Sequence, residues 1–315
     1  MKLKAAFLLI VLPLFFSCQK EQFDFIDLKT EKVTSIKELS EITDVTTLGD
    51  SFIFLDGLSR RLAVSDKEFK NIEVIAQRGK GPGELWSRAL YMTSGDNIYI
   101  IDQSLHRINI FNRSGFIDTI NIPKEGLAHD ITYYKTDRII LGLIPVNTDK
   151  IYSIFNMKEK KFEEGLVSAD QYDNPMKKLS MNYTDSVCID DNLFIGYMFR
   201  NKIAKYDLIT GEKIKEIKQS FLNMDSNDYD AAENTPERFY VTKMQVYKNN
   251  FYVLCYDMGS LNQGDEPKVT TYLSVYDFDL NLQKIYRIDE KFRVFCIRND
   301  IVYFFRENEV YISSI

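Results

Sequence analysis

Asn97-Ile98-Tyr99-Ile100-Ile101-Asp102, followed by Arg107-Ile108-Asn109-Ile110-Phe111-Asn112, Arg113-Ser114-Gly115 and the run Phe116 to Ile122, is the stretch on which the fold turns. The first segment is apolar for several residues in a row, which suits a strand covered on both faces. The second ends on an amide before a glycine-containing turn. A short Asp or Asn side chain accepts hydrogen bonds from the backbone that follows and tolerates turn geometry, so it ends one strand and starts a hairpin into the next.

Working outward, the strand that closes on a small polar residue returns along the chain. It is Arg61 to Asp66, Lys150 to Asn156, Lys202 to Asp207, Thr271 to Asp277 and finally Glu309 to Ser314. Its apolar predecessor returns as Asn192 to Tyr197 and Asn250 to Cys255. Asp66 to Ser314 is 248 residues over five steps, a mean period of about 50. Strand units at that spacing predict an all-β, six-bladed β-propeller. The 19 Tyr and 22 Phe supply large β-prone residues for its core. A β-sandwich or two-domain arrangement would leave the repeated order of features without a cause. The last unit stops at Ser314-Ile315 without an outermost strand, and the stretch Phe25 to Ile36 is expected to supply it. That N-terminal strand would complete the last blade, close the ring and protect its edges.

Lys2 and Lys4 precede the apolar run Leu8 to Phe16, which stops at Ser17-Cys18. The run is shorter than the roughly 20 apolar residues a spanning helix needs, and reads as a secretory signal peptide. It resembles a bacterial lipoprotein signal, with Phe15 where Leu is usual and Phe16 where Ala or Ser is common. The resemblance implies acylation of Cys18 and attachment to a membrane through lipid, in the cell envelope and at the outer membrane. An ordinary secretion signal with an incidental cysteine is the alternative. Residues 1–17 are then signal, 18–24 a tether and 25–315 the propeller. Gln19-Lys20-Glu21 loosely resembles export signals of surface lipoproteins of Bacteroidetes and leaves the leaflet open, periplasmic or surface.

Loss of Lys2 and Lys4 with the signal leaves 38 basic against 46 acidic residues, a formal charge of about −8. An acidic chain without a basic stripe argues against nucleic acid as a partner. Cys188, Cys255 and Cys296 each sit in an apolar run and read as buried small hydrophobes. His106 and His129, the two histidines, are far apart in sequence and offer no histidine-based zinc site.

Between the first two repeats lies Ile75-Ala76-Gln77-Arg78-Gly79-Lys80-Gly81-Pro82-Gly83-Glu84-Leu85. Together with the strand Ile98 to Asp102 and the turn Phe111-Asn112-Arg113-Ser114-Gly115, this G-x-G-P-G-E loop resembles the signature of six-bladed β-propeller lipoproteins of Bacteroidetes. Asn112 stands where that turn has Asp. The resemblance spans essentially the whole mature chain and implies the fold more than any activity. Read from its residues, the loop has three glycines that open unusual backbone angles and a proline that fixes one. It lacks the G-x-x-x-x-G-K-[ST] spacing of a phosphate loop. An inter-blade crossover is its simplest role. Arg78, Lys80, Glu84, Trp86 and Arg88 are the candidate binding rim, with Trp86, the chain's single tryptophan, as a platform for a sugar face or a protein contact.

Two segments exceed the period, Asn223 to Arg238 and Gly259 to Lys268. Asp225, Asn227, Asp228 and Asp230 in the first have the oxygen density that calcium takes, although Tyr229 and Asp230 break an EF-hand pattern. A solvated acidic loop is the plainer reading, and no other cofactor is expected. Asp56 and Asp102, each at the end of an apolar strand, are candidates for a pair facing the central channel, with a hydrogen-bonded structural role as the plainer reading of each. A propeller serves binding and catalysis alike. The expectation is a lipid-anchored envelope binding or scaffold protein that recognises a protein or glycan through one propeller face. The alternatives are a carbohydrate- or lactone-directed hydrolase or lyase with its site at the central axis, and a purely structural envelope role.

Overall fold

The computed structural model describes residues 23–87, 90–122, 127–144, 149–222, 238–257 and 269–315. Strands β1 (Phe25–Asp27) and β2 (Glu31–Ser35) come first. Blade 1 follows as β3 (Ile42–Leu48), β4 (Ser51–Asp56), β5 (Arg61–Ser65) and β6 (Ile72–Ala76). Blade 2 is β7 (Leu90–Ser94), β8 (Ile98–Asp102), β9 (Arg107–Asn112) and β10 (Gly115–Asn121). Blade 3 is β11 (Ala128–Lys135), β12 (Arg138–Leu143), β13 (Lys150–Asn156) and β14 (Lys161–Ser168). A short helix α1 (Pro175–Met181) leads to blade 4, β15 (Thr184–Ile189), β16 (Asn192–Tyr197), β17 (Ile203–Asp207) and β18 (Lys213–Ile217). Blade 5 holds β19 (Arg238–Tyr247), β20 (Asn250–Asp257), β21 (Thr270–Asp277) and β22 (Leu282–Ile288). Blade 6 holds β23 (Val294–Arg298), β24 (Ile301–Arg306) and β25 (Glu309–Ser314). The chain is a six-bladed β-propeller, each blade an antiparallel meander of consecutive strands, with β1 and β2 added to blades 5 and 6.

The six recurring strands of the sequence are the third strand of every blade. Their terminal residues act as the chemistry of Asp and Asn requires. Asp66 accepts from Lys70 N at 3.0 Å, Asn112 from Ser114 N at 2.8 Å, Asp207 from Thr210 N at 2.8 Å and Asp277 from Asn281 N at 2.9 Å. The second strands β4 and β8 are buried at every residue because neighbouring blades cover both their faces. Aromatic rings fill the wedges between blades: Phe52 meets Tyr303 at 4.8 Å between blades 1 and 6, and Phe194 meets Phe251 at 5.0 Å between blades 4 and 5. Full burial of such a ring stabilises by about 1.5–3 kcal/mol.

The N-terminal stretch closes the ring, and it does so in two pieces. β2 pairs antiparallel with β25, Glu31 opposite Ile312, and completes blade 6, helped by an ion pair from Lys32 to Glu309. β1 instead runs parallel to β22, Phe25 opposite Ile285, and gives blade 5 a fifth strand. Asp27 pairs with Arg287 at 2.6 Å, and Ser313 Oγ donates to Lys29 O at 2.8 Å between the two pieces. The segments 223–237 and 258–268, and with them Asp225, Asn227, Asp228 and Asp230, lie outside the described residues, as does Cys18. Among the described residues no helix is long and apolar enough to cross a membrane.

Candidate functional site

The innermost strands β3, β7, β11, β15, β19 and β23 surround an axial passage. Where these strands begin, it opens as a cavity of about 350 Å³; where they end, as one of about 310 Å³. Met92, Asp130, Asp185 and Lys243 line both and form the waist between them. The first cavity has an aromatic wall of Tyr91, Tyr183, Phe239 and Tyr256, with Asp44, His129 and Arg293 also lining it. Its size falls within the ~300–1,000 Å³ of small-molecule sites.

Equivalent blade positions supply the charged waist. Asp44 lies opposite Leu55, Asp185 opposite Gly196, Lys243 opposite Leu254 and Asp130 opposite Gly142. Lys243 Nζ is 2.8 Å from Asp44 Oδ1 and 4.0 Å from Asp185 Oδ1. Asp185 also accepts from Met244 N at 2.5 Å. Asp130 accepts from Ser186 Oγ at 2.5 Å, Tyr152 OH at 2.8 Å and Ile131 N at 2.8 Å. A Cβ on Gly142 would stand 2.7 Å from that of Asp130, so the strand behind this carboxyl has to carry glycine.

Burial dominates the protonation of these groups. It pushes Asp185 up to about 8, with Lys243 pulling the other way, and it raises Asp130 against the hydrogen bonds from Ser186 and Tyr152. Burial alone would lower Lys243, but Asp44 and Asp185 outweigh it and hold the ammonium charged. His129, 2% exposed, is lowered to about 3 by burial and is neutral. Its Nε2 accepts from Thr184 N at 3.3 Å, which assigns the proton to Nδ1, a donor that has no protein partner. Tyr91 and Tyr183 join through their hydroxyls at 2.7 Å and brace the wall. The floor therefore carries the Lys243 ammonium paired with Asp44, the Asp185 carboxyl that holds its proton near neutral pH, and the hydrogen-bonded Asp130 within one small volume, under aromatic faces. Among the described residues no three His, Cys, Asp or Glu side chains converge as metal ligands.

Arg78, Lys80, Glu84 and Trp86 do come together, on the connection from β6 to β7. The loop is held by Gly79 N to Leu85 O at 3.1 Å, Leu85 N to Gln77 O at 2.9 Å and Gly81 N to Glu84 Oε2 at 2.7 Å. Arg107 donates to Lys80 O at 3.1 Å and Glu84 O at 2.7 Å. Gly83 has φ +73°, and a Cβ there would meet Phe116 Cγ at 2.7 Å. Glu84 thus turns inward to brace the loop. Trp86 is half-buried, with Lys80 Nζ 4.4 Å, Arg60 Cζ 5.4 Å and Arg78 Cζ 5.6 Å from its ring, so the chain's own cations occupy the indole. Arg88 lies outside the described residues.

Asp56 and Asp102 do not form a channel-facing pair, since neither lines the axial passage; both take the hydrogen-bonded structural role instead. They end β4 and β8, one strand out from the axis, and are wholly buried. Asp56 accepts from Ser40 N at 2.6 Å and Ser59 N at 2.8 Å, and Asp102 from Trp86 N at 2.7 Å and Ser87 N at 3.0 Å. The carboxyls at the axis are Asp44, Asp130 and Asp185. Sequence reasoning passed over them, yet a signal is present: each sits seven or eight residues ahead of its blade's second strand, in Thr43-Asp44, His129-Asp130 and Thr184-Asp185. Cys255 and Cys296 are buried and Cys188 partly so; all three are free thiols that burial raises, Cys188 and Cys296 to about 12.

Solved structures share the architecture at low identity. A DUF4221 family member from Bacteroides vulgatus aligns over 94% of this chain and 98% of its own, with TM-score 0.56 and 10% identity. A Bacteroides fragilis protein described as exported aligns over 91% and 94%, with TM-score 0.58 and 13% identity. Virginiamycin B lyase from Staphylococcus aureus aligns over 92% and 100%, with TM-score 0.53 and 11% identity. At these identities the likeness is one of fold. No curated protein matches the chain. The DUF5128 family model, described as a 6-bladed beta-propeller, matches residues 16–184, more than half of the 315. With six blades closed by its own N-terminal strands, the chain belongs to the DUF5128 six-bladed β-propeller family.

Proposed function

We propose that the chain is a lipid-anchored cell-envelope binding protein that takes a glycan in its axial cavity. The observation that carries this reading is the 350 Å³ cavity, with an aromatic wall above a floor of fixed donors and acceptors. Aromatic faces suit the apolar faces of sugar rings, and a mixed floor suits their hydroxyls. The loop of Arg78, Lys80 and Trp86 lies toward the same face, since it leads into the start of β7, and offers further contacts to a protein partner. A thermal-shift and calorimetric screen of host and plant glycans tests the reading. Binding that weakens at least tenfold in Tyr183→Ala supports it; a glycan bound equally by that variant and the wild type counts against it.

Envelope anchoring draws support from the Leu8 to Cys18 signal and from the fold shared with an exported Bacteroides fragilis protein. Cys18→Ser is expected to abolish labelling by a fatty-acid analogue and to release the protein from the membrane fraction. Retention of both in the variant would remove the lipid anchor.

A second reading, a carbohydrate- or lactone-directed hydrolase or lyase, is favoured by Asp185, whose raised carboxyl at the waist holds a proton near neutral pH. Turnover of a bound glycan by the wild type and not by Asp185→Asn would select it. Binding without turnover would leave the binding protein.

A further inference from the structure

The charges around the axial cavity are unevenly matched. Each floor carboxyl is engaged by the protein: Asp44 by Lys243 and Val45 N, Asp185 by Met244 N, and Asp130 by Ser186, Tyr152 and Ile131 N. Lys243 is itself neutralised by Asp44. Arg293 differs. It is exposed on the cavity wall at the start of blade 6, where its charge acts on the neighbouring Tyr256 hydroxyl, and among the described residues no carboxylate is in ion-pair contact with it. Lys291 lies on the same ring, its Nζ 5.0 Å from the centroid of Tyr256, and Arg293 opposes its charge. In a chain with more acidic than basic residues, two cations lie at one aromatic side chain of the cavity wall, and neither makes an ion pair with a carboxylate among the described residues.

Guanidinium is suited to a carboxylate, which it can take through two parallel hydrogen bonds. Tyr256 itself is buried, with Phe239 4.7 Å from its ring and Lys291 over it, so it anchors the wall and leaves the cations as the groups that meet a ligand. The deeper floor offers hydroxyl-directed donors and acceptors, and its carboxyls are already tied to protein donors, so that among the described residues Arg293 is the cavity-lining charge without an ion-pair partner. A ligand complementary to this order carries one carboxylate on a hydroxylated ring.

We infer that the axial mouth selects saccharides bearing a carboxylate, with Arg293 receiving the carboxylate and Lys291 adding charge. This rests on the axial cavity being a glycan site and narrows the class it takes.

The test is calorimetry on the mature protein with two matched pairs, digalacturonate with its dimethyl ester and 3′-sialyllactose with lactose. At least one acidic member should bind, at least tenfold more tightly than its neutral counterpart and less tightly as salt is raised. Arg293→Gln should remove that preference, the acidic member's affinity falling to that of its neutral counterpart; Arg293→Lys should restore part of it. Equal binding of the acidic and neutral members, or an acidic preference intact in Arg293→Gln, would overturn the inference and leave the glycan site standing. Displacement by acetate as effective as by the free acidic sugar would also overturn it, since the mouth would then be a general anion site. If none of the four binds, the inference falls, and the wider glycan screen decides the site itself.

Discussion

Asp56 and Asp102 end second strands and hold backbone N–H groups of incoming loops, whereas Asp44, Asp130 and Asp185 on innermost strands face the axis. The same side chain has different work at the two depths, and mutation should separate them. Asp102→Ala leaves the Trp86 and Ser87 N–H groups unpaired in a buried place beside Arg107, 3.9 Å away. A loss of about 3 kcal/mol is expected, read as a lower urea midpoint at unchanged slope. Gly83→Ala combines a positive φ with contact against Phe116 and should cost about 1–3 kcal/mol by the same assay. Asp185 has a pH signature. Its folded carboxyl titrates near 8, above the unfolded 3.8, so the stability it contributes is complete below pH 4 and is lost as pH rises to 8. His129 acts below about 6.5, where its lowered folded value makes acid destabilising. Asp185→Asn should therefore raise the melting temperature more at pH 8 than at pH 6.5, and an equal effect at both would refute the assignment. The Asp and Asn residues that end third strands were legible because their work is local, finished within the next few residues. The axial carboxyls were not, because a Thr-Asp or His-Asp pair acquires meaning only when strands about 50 residues apart meet at the axis.

Third strands announce themselves by alternating toward a fixed polar end, and second strands by unbroken apolarity, so both kinds could be placed without coordinates. Innermost strands such as β7 and β15 mix buried and partly exposed residues, since one edge of each faces the passage, and their pattern is correspondingly faint. The closing stretch was legible as one strand because blade 6 visibly lacked its fourth. Its division into β1 and β2 depends on β22 presenting a free edge, which no local signal records. The two pieces should differ in weight. Deletion through Leu28 removes only the parallel strand on blade 5 and is expected to lower the melting temperature while leaving one cooperative transition. Deletion through Ile36 uncovers the edge of β25 and removes Ile36, 1% exposed, from the core between blades 6 and 1. Loss of cooperative melting and aggregation on size exclusion are expected there; a transition like that of the shorter deletion would show that β2 is dispensable.

At the scale of the molecule, the ring gathers residues from all six blades onto one axis and so builds a site that no single segment encodes. The fold followed from period and order. The site follows from closure, which sets Tyr183, Phe239 and Tyr256 above Lys243 and puts the cations at Trp86 away from that cavity's lining. Trp86 is the only tryptophan, so its emission separates the two surfaces. A ligand in the axial mouth should leave that emission unchanged, and a partner docking on the loop should shift it. Crystals of the mature protein soaked with the saccharides that bind in solution locate the ligand outright. Density lying against Tyr183 and beside Arg293, above the Asp44–Lys243 pair, is the expected result, and density confined to the Trp86 loop or to outer blade edges, with the axial mouth empty, would contradict it.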